Sequence, residues 1–286
     1  MRSADPPSFA DPNVRQHDAP ADRPDRGKRR QHQQQQQQLR QVDAGQSSVW
    51  AVIPVAGRAS RMAPIHRGGP KALLRIGTGT ILDRLVAHLE GSVTDICLVV
   101  DKTDGLIPRT LGSMCRGIRL HYVLQPEPLG VGDAVLRSVG RVSGTFVTVM
   151  GDVFYDRNLD DHVNAWRRSG AEGAVLVEPI ERPPREPIGL VETNEGFVTS
   201  LEKGREDWKH RLGLAGLAIL PETAFEAAGE IRPASSGEIE LESVIEWLMT
   251  RREMRFVALP YEGWRRNINT EADLVAAHAR IGTSFA

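Results

Sequence analysis

From Val49 onward the chain is punctuated by short, mainly apolar runs: Val49 to Val55, Ile96 to Val100, Leu120 to Leu124, Phe146 to Met150 and Ala174 to Val177. Runs of this length without polar alternation predict strands covered on both faces. Between them the period changes. Ile81, Leu82, Leu85, Val86 and Leu89 recur at spacings of three and four, the stripe of a helix with one buried face, and Val131, Val135 and Val139 repeat it less regularly. Strands alternating with helices predict an α/β protein with a mainly parallel sheet and helices on both faces. In such sheets ligands bind beyond the carboxyl ends of the strands. The second half differs. Gly189 to Glu192 and Phe197 to Leu201 flank Asn194-Glu195-Gly196, a turn signal that predicts a hairpin and makes the sheet mixed. Leu214 to Leu220 reads as a further strand. Leu241, Val244, Ile245 and Leu248 form a helical stripe, and Leu274 to Ile281 a last short helix. No internal repeat is visible.

Composition sets the boundary of this pattern. Residues 1–48 contain ten Gln, with Gln33 to Gln38 unbroken, and very few large apolar side chains. Such a segment cannot bury enough apolar surface to offset its ordering entropy. The expectation is a disordered Gln-, Pro- and Arg-rich tail over 1–48 and one folded domain over 49–286. That domain divides into a first half, 49–170, and a second half, 171–286. A net charge of -1 gives no basic field for nucleic acid. No run of eighteen apolar residues and no apolar stretch behind the basic N-terminus are present, so the expectation is a cytoplasmic protein without a membrane partner. Two cysteines, Cys97 and Cys115, supply neither a disulfide framework nor a metal cluster, and Cys97 within its apolar run reads as a small buried hydrophobe.

Candidate chemistry lies where the strands end. The first strand feeds Ala56-Gly57-Arg58-Ala59-Ser60-Arg61-Met62 and then Pro70-Lys71. A small-residue turn after a strand lets backbone N–H groups converge on phosphate oxygens, while Arg grips phosphate with two parallel hydrogen bonds and Lys supplies a point charge. The spacing is neither the dinucleotide G-x-G-x-x-G nor the P-loop. Gln125-Pro126-Glu127-Pro128-Leu129-Gly130 follows the third strand. Its Gln offers donor and acceptor together, as a pyrimidine edge does. Gly130 leaves room for backbone to approach a base. Val149-Met150-Gly151-Asp152 ends the fourth strand with a carboxylate, the natural ligand of Mg²⁺. Gly237-Glu238-Ile239-Glu240-Leu241 carries carboxylates suited to a helix N-terminus. Thr270 with Asp273 reads as a capping box before the last helix.

In this order the segments resemble the sugar-1-phosphate nucleotidyltransferases. That family's signature runs apolar-A-G-x-G-[ST]-R-[ML] and then, after an interval, P-K-x-L. The stretch IPVAGRASRM…GGPKALL matches it, QPEPLG resembles Q-P-x-P-x-G, VMGD resembles L-x-G-D, and WRRNINT is similar to W-x-D-T-G-T. The resemblance covers about residues 49–275 and implies a Rossmann-like three-layer nucleotidyltransferase fold. By resemblance, Arg61 and Lys71 are the catalytic cations on the triphosphate, and Ala56, Gly57, Gln125 and Gly130 bind the nucleotide. Gly189-Leu190-Val191-Glu192 and Leu201-Glu202-Lys203-Gly204 resemble the family's Y-G-V-V-E and E-E-K-P segments. Gly189 and Glu202 thereby inherit the sugar hydroxyls and Lys203 the sugar phosphate. Asp152 and Asn267 become the ligands of the Mg²⁺ cofactor, with Asn269 as the alternative to Asn267. Two departures stand out. Ala59 replaces a glycine, at about 1 kcal/mol if that position is left-handed, and Asn267 replaces an Asp. The implied partners are a nucleoside triphosphate and a sugar 1-phosphate. Gln125 favours UTP or dTTP, EPLG leaves GTP open, and homo-oligomerisation is left open too. The alternatives are a non-hexose acceptor such as a cyclitol phosphate, or a nucleotide-sensing module without turnover.

Overall fold

The computed structural model describes residues 49–57, 69–103, 105–184, 186–204 and 206–283. The tail over 1–48, together with Arg61 and Ala59, lies outside the described residues. The first apolar run forms β1 (Val49–Pro54), in which Ala51, Val52 and Ile53 are fully enclosed. A short hairpin, β2 (Arg75–Ile76) and β3 (Gly79–Thr80), leads into α1 (Ile81–His88), which starts on a capping box between Thr80 and Asp83. Then follow β4 (Val93–Asp101), α2 (Leu106–Leu111), β5 (Met114–Cys115), β6 (Ile118–Gln125), α3 (Val131–Leu136) and β7 (Phe146–Val149). β8 (Val153–Tyr155), α4 (Asp160–Ser169) and β9 (Gly173–Pro179) come next. The second half contains β10 (Ile188–Asn194), β11 (Phe197–Gly204), β12 (Leu212–Leu220) and α5 (Leu241–Arg251), and closes with β13 (Phe256–Pro260), β14 (Arg265–Asn267) and α6 (Glu271–Thr283).

Ten strands make one sheet in the order β10-β11-β13-β9-β12-β7-β1-β4-β6-β5. β7, β1, β4 and β6 run parallel, as continuous apolar runs separated by helices predict. β13 also lies parallel to β9. The rest is antiparallel: β12 inserts between β7 and β9, and β10 pairs with β11. The predicted hairpin turns on Glu195 and Gly196, at φ 50° and 82°. A two-residue turn with both central residues left-handed matches the twist of the flanking strands, which is why Asn-Glu-Gly works here.

Side chains of successive strand residues face opposite ways, and the core divides accordingly. Ile96, Leu98 and Val100 pack on one face with α1, and Cys97 and Val99 on the other with α3 and α5. This is the three-layer arrangement, carried by one sheet that is continuous across both halves of the domain. Burial pushes the Cys97 thiol up to about 12, so it stays protonated and inert at neutral pH. No helix among the described residues is long and apolar enough to cross a membrane.

Candidate functional site

Parallel neighbours deliver their carboxyl ends to one edge, so Val55 to Gly57, Gln125 and Asp152 arrive together without being close in sequence. They line a cavity of about 320 Å³ whose walls also include Lys71, Gly130, Lys203, Glu238, Glu240 and Asn267. Of the residues singled out from the sequence, Ala56, Gly57, Lys71, Gln125, Gly130, Asp152, Lys203 and Asn267 therefore share one hollow.

Lys71 opens a short 3-10 turn after Pro70. Its Nζ donates to Asp152 Oδ2 at 2.6 Å and to Asn269 Oδ1 at 2.5 Å. Lys71 is only 13% exposed, so this charge is focused on the cavity rather than dispersed in water. Asp152 follows Gly151, where a Cβ would overlap the Pro54 carbonyl of β1 and come within 2.7 Å of Val55. Only glycine lets β7 and β1 close up enough to present the carboxylate beside Lys71. β14 pairs with β8 so that Asn267 stands opposite Val153, and the Ile268 N–H donates to the Asp152 carbonyl at 2.9 Å.

The two asparagines then take different partners. Asn267 Oδ1 accepts from Arg265 Nη1 at 2.8 Å, while Asn269 Oδ1 turns to Lys71. Arg265 is itself held by Glu178 at 2.5 Å. The oxygen expected to serve a metal from Asn267 thus already answers a cation, and Asn269 is the amide oxygen that shares a cation with Asp152.

Asp273 anchors this segment. It accepts from Thr270 N at 2.8 Å, Thr270 Oγ1 at 2.8 Å, Asn269 N at 3.1 Å and Arg266 Nε at 2.7 Å, so the expected capping box at Thr270 is present. Burial works to raise its pKa, but the hydrogen bonds from Thr270, Arg266 and Asn269 outweigh it, and the carboxyl titrates below its usual value. A depressed carboxyl contributes stability above its unfolded pKa that is lost as pH falls through the folded value. Asp273→Asn should therefore lower unfolding free energy at pH 7 by about 1–2 kcal/mol. The gap to the parent should narrow below about pH 4, as urea titrations at several pH values would show. A gap independent of pH would contradict the assignment.

On the far wall, Lys203 Nζ meets Glu240 Oε2 at 2.6 Å. Burial opposes the Lys203 charge, yet the hydrogen bond it donates to Glu240 and the fields of Glu242 and Glu238 prevail, and its pKa is raised. Gly189 stands directly across from Lys203 in the β10–β11 register. A Cβ there would fall 2.8 Å from Leu214 Cβ and 2.9 Å from Glu242 Oε1. Glu242 is buried beside this pair, and desolvation raises its pKa.

Three expectations need amending. Glu202 does not join Lys203. Adjacent strand residues face opposite sides, and with Lys203 turned to the cavity Glu202 lies exposed on the other face, paired with Arg211, which also binds Glu192 at 2.7 Å. Glu240 is the carboxylate the cavity receives instead. Its residue stood in the sequence as a helix-start acid, and no local signal separated the two roles. Gly130 has a reason to be glycine beyond the one expected. At φ 98° a Cβ would lie 2.5 Å from the Ile239 carbonyl, so the protein's own 238–240 segment already requires the small residue. Gln125, finally, is not free to offer both donor and acceptor: its Nε2 donates to the Gly130 carbonyl at 3.0 Å and to Asp133 Oδ2 at 2.9 Å.

Comparison with known proteins places this fold in a family. The family model described as Nucleotidyl transferase matches residues 50–281. The UTP–glucose-1-phosphate uridylyltransferase AglF of Haloferax volcanii is 26% identical over 233 residues, 81% of this chain and 96% of that protein. The bifunctional protein GlmU of Methanococcus aeolicus is 25% identical over 231 residues, again 81% of this chain. Only 54% of that relative is covered, so the chain spans about half the length of the GlmU proteins it matches. Among solved structures, the UTP-bound UGPase from Acinetobacter baumannii superposes with a TM-score of 0.68 at 19% identity, covering 83% of this chain and 94% of that one, a likeness of fold. With the family model spanning nearly all of the described residues, the chain belongs to the nucleotidyl transferase family.

Proposed function

We propose that the protein transfers a nucleotidyl group from a nucleoside triphosphate, UTP or dTTP in first place, to a sugar 1-phosphate with release of pyrophosphate. The observation that carries this reading is the single cavity shared by Lys71, Asp152, Gln125 and Lys203. Its two cations stand on different walls, Lys71 on the phosphate-loop side and Lys203 on the β10–β11 side, which suits two separate anionic reactants. An oxygen of the sugar phosphate attacks the α-phosphorus in line. The new P–O bond forms as the bond to the β-phosphate oxygen breaks, and the electron pair leaves with pyrophosphate. The nucleophile is already an anion, so no general base is required. The task is to hold two polyanions together, and catalysis is positioning plus electrostatics.

In this scheme Lys71, with Arg61, stabilises charge on the α-phosphate and the leaving group. Ala56 and Gly57 present backbone to the nucleotide, and Lys203, beside Gly189, holds the acceptor phosphate. The donor set also fits a hard divalent cation, since Asp152 Oδ2 and Asn269 Oδ1 already converge on one positive charge, the Lys71 ammonium. Among the described residues no group of three or more His, Cys, Asp or Glu forms a cage of its own, which matches an ion that completes its shell with water and phosphate oxygens. Asp152 with Asn269, or Asn267 as expected from the sequence, would hold Mg²⁺, which neutralises phosphate charge when bound.

A second reading changes the acceptor. Glu238, Glu240 and Glu242 all act on Lys203, the one acceptor-side cation among the described lining residues. Such an excess of carboxylates favours a phosphate ester that also carries an amine, outside the plain hexose 1-phosphates. A panel of UTP, dTTP, GTP, CTP and ATP against hexose, amino-sugar, cyclitol and amino-alcohol phosphates, scored by pyrophosphate release, separates the readings. Failure of every sugar phosphate with every nucleotide would sink the first, and absence of turnover with nucleotide-dependent thermal stabilisation would support a sensing module.

A further inference from the structure

Gln125 ends β6 on the cavity wall and is only 5% exposed. An amide nitrogen carries two hydrogens, and both are spent inside the protein, one on the Gly130 carbonyl and one on Asp133 Oδ2. Turning the amide over would set its oxygen against a carbonyl and a carboxylate, so the neighbours dictate its direction. Asp133 is equally constrained. It is 8% exposed within α3, and the same Oδ2 accepts from Arg137 Nε, one helical turn on, at 2.7 Å. What remains for a ligand is Gln125 Oε1, which no donor reaches among the described residues.

We propose that Asp133, oriented by Arg137, is a positioning residue that locks Gln125 as a one-way acceptor and thereby restricts the nucleotide to bases with a ring N–H. Uracil and thymine offer N3–H and guanine offers N1–H, and each can donate to Oε1. Cytosine and adenine carry a lone pair on the corresponding ring nitrogen and meet the oxygen lone pair to lone pair. Cytosine can bring its N4 amine to that oxygen only by sliding along its edge. A site whose buried polar group is left unpaired by the wrong partner discriminates strongly. This inference rests on the reading that Gln125 meets the base, but not on the identity of the acceptor.

The test is equilibrium titration of the full-length protein with UTP, dTTP, GTP, CTP and ATP, so that it stands even if no acceptor is turned over. The parent should bind UTP at least tenfold tighter than CTP. Asp133→Ala releases the amide and should collapse that ratio tenfold or more. Asp133→Asn should keep it, because an amide oxygen can take the place of Oδ2 between Gln125 and Arg137. Arg137→Met, at a partly exposed position that tolerates change, should lower the ratio by a smaller factor and covers the case in which Asp133→Ala does not fold. A parent that binds UTP and CTP alike overturns the lock, and so does Asp133→Ala or Arg137→Met weakening both nucleotides by one common factor. Failure of the acceptor panel with the UTP preference intact would instead count against the acceptor reading alone.

Discussion

Asp152→Asn is expected to lower pyrophosphate release by roughly 10²- to 10³-fold, the larger of the two strongest effects foreseen. The carboxylate has two tasks that an amide cannot share. It pairs with Lys71 at 2.6 Å, and among the described lining residues it is the one full negative charge that the cavity offers a divalent ion on that wall. The fold should survive. Asp152 is 35% exposed, Asn is isosteric, and the backbone position is held by Gly151 and by the Ile268 N–H rather than by the side chain. Steady-state rates over a Mg²⁺ titration, with melting curves beside them, provide the check. Activity within a few-fold of the parent at all Mg²⁺ concentrations would mean that the charge at Asp152 is not part of the machinery.

Lys203→Ala is the second. It removes the only cation on the acceptor wall among the described lining residues and leaves Glu240 facing the incoming phosphate. Attraction becomes repulsion, and kcat/KM for the acceptor should fall by roughly 10²-fold, while KM for the nucleotide changes little because Lys71 and Gln125 are untouched. A mutation that moves one substrate's KM and not the other's identifies which reactant the residue serves. The pKa of Lys203 is raised, so its charge persists through the ordinary lysine value and is lost only above it. The acceptor KM of the parent should accordingly show no inflection from Lys203 between about pH 6 and 9. If Lys203→Ala weakens nucleotide and acceptor equally, the two-wall arrangement is wrong.

How much of this was legible in the sequence varied by feature, for definable reasons. The parallel core was readable because each of its strands holds a mainly apolar run between helical stripes. The strand run at Leu212–Leu220 is just as apolar, but nothing in it tells direction, and its antiparallel insertion between β7 and β9 came only with the sheet. The strand-end motifs were readable because one edge of a parallel sheet collects them, which requires order along the chain and no atomic detail. Glu202 misled because a motif string does not say which of two neighbouring strand residues faces the site. The motif placed Asn267 ahead of Asn269 as a metal ligand, but it could not show that Asn267 turns to Arg265 while Asn269 turns to Lys71, 198 positions away.

The sequence by itself determined that an α/β sheet would bring the end of its first strand, a lysine, a glutamine and an aspartate to one edge, since apolar periodicity and turn residues act over a few positions and are written locally. Tertiary structure alone decided which oxygen faces which cation, which way the Gln125 amide points, and which carboxylate accompanies Lys203. Those are matters of ångströms between residues as many as 198 positions apart, as for Lys71 and Asn269. Electrostatic and hydrogen-bond energies turn on that separation, and no spacing along a chain encodes it.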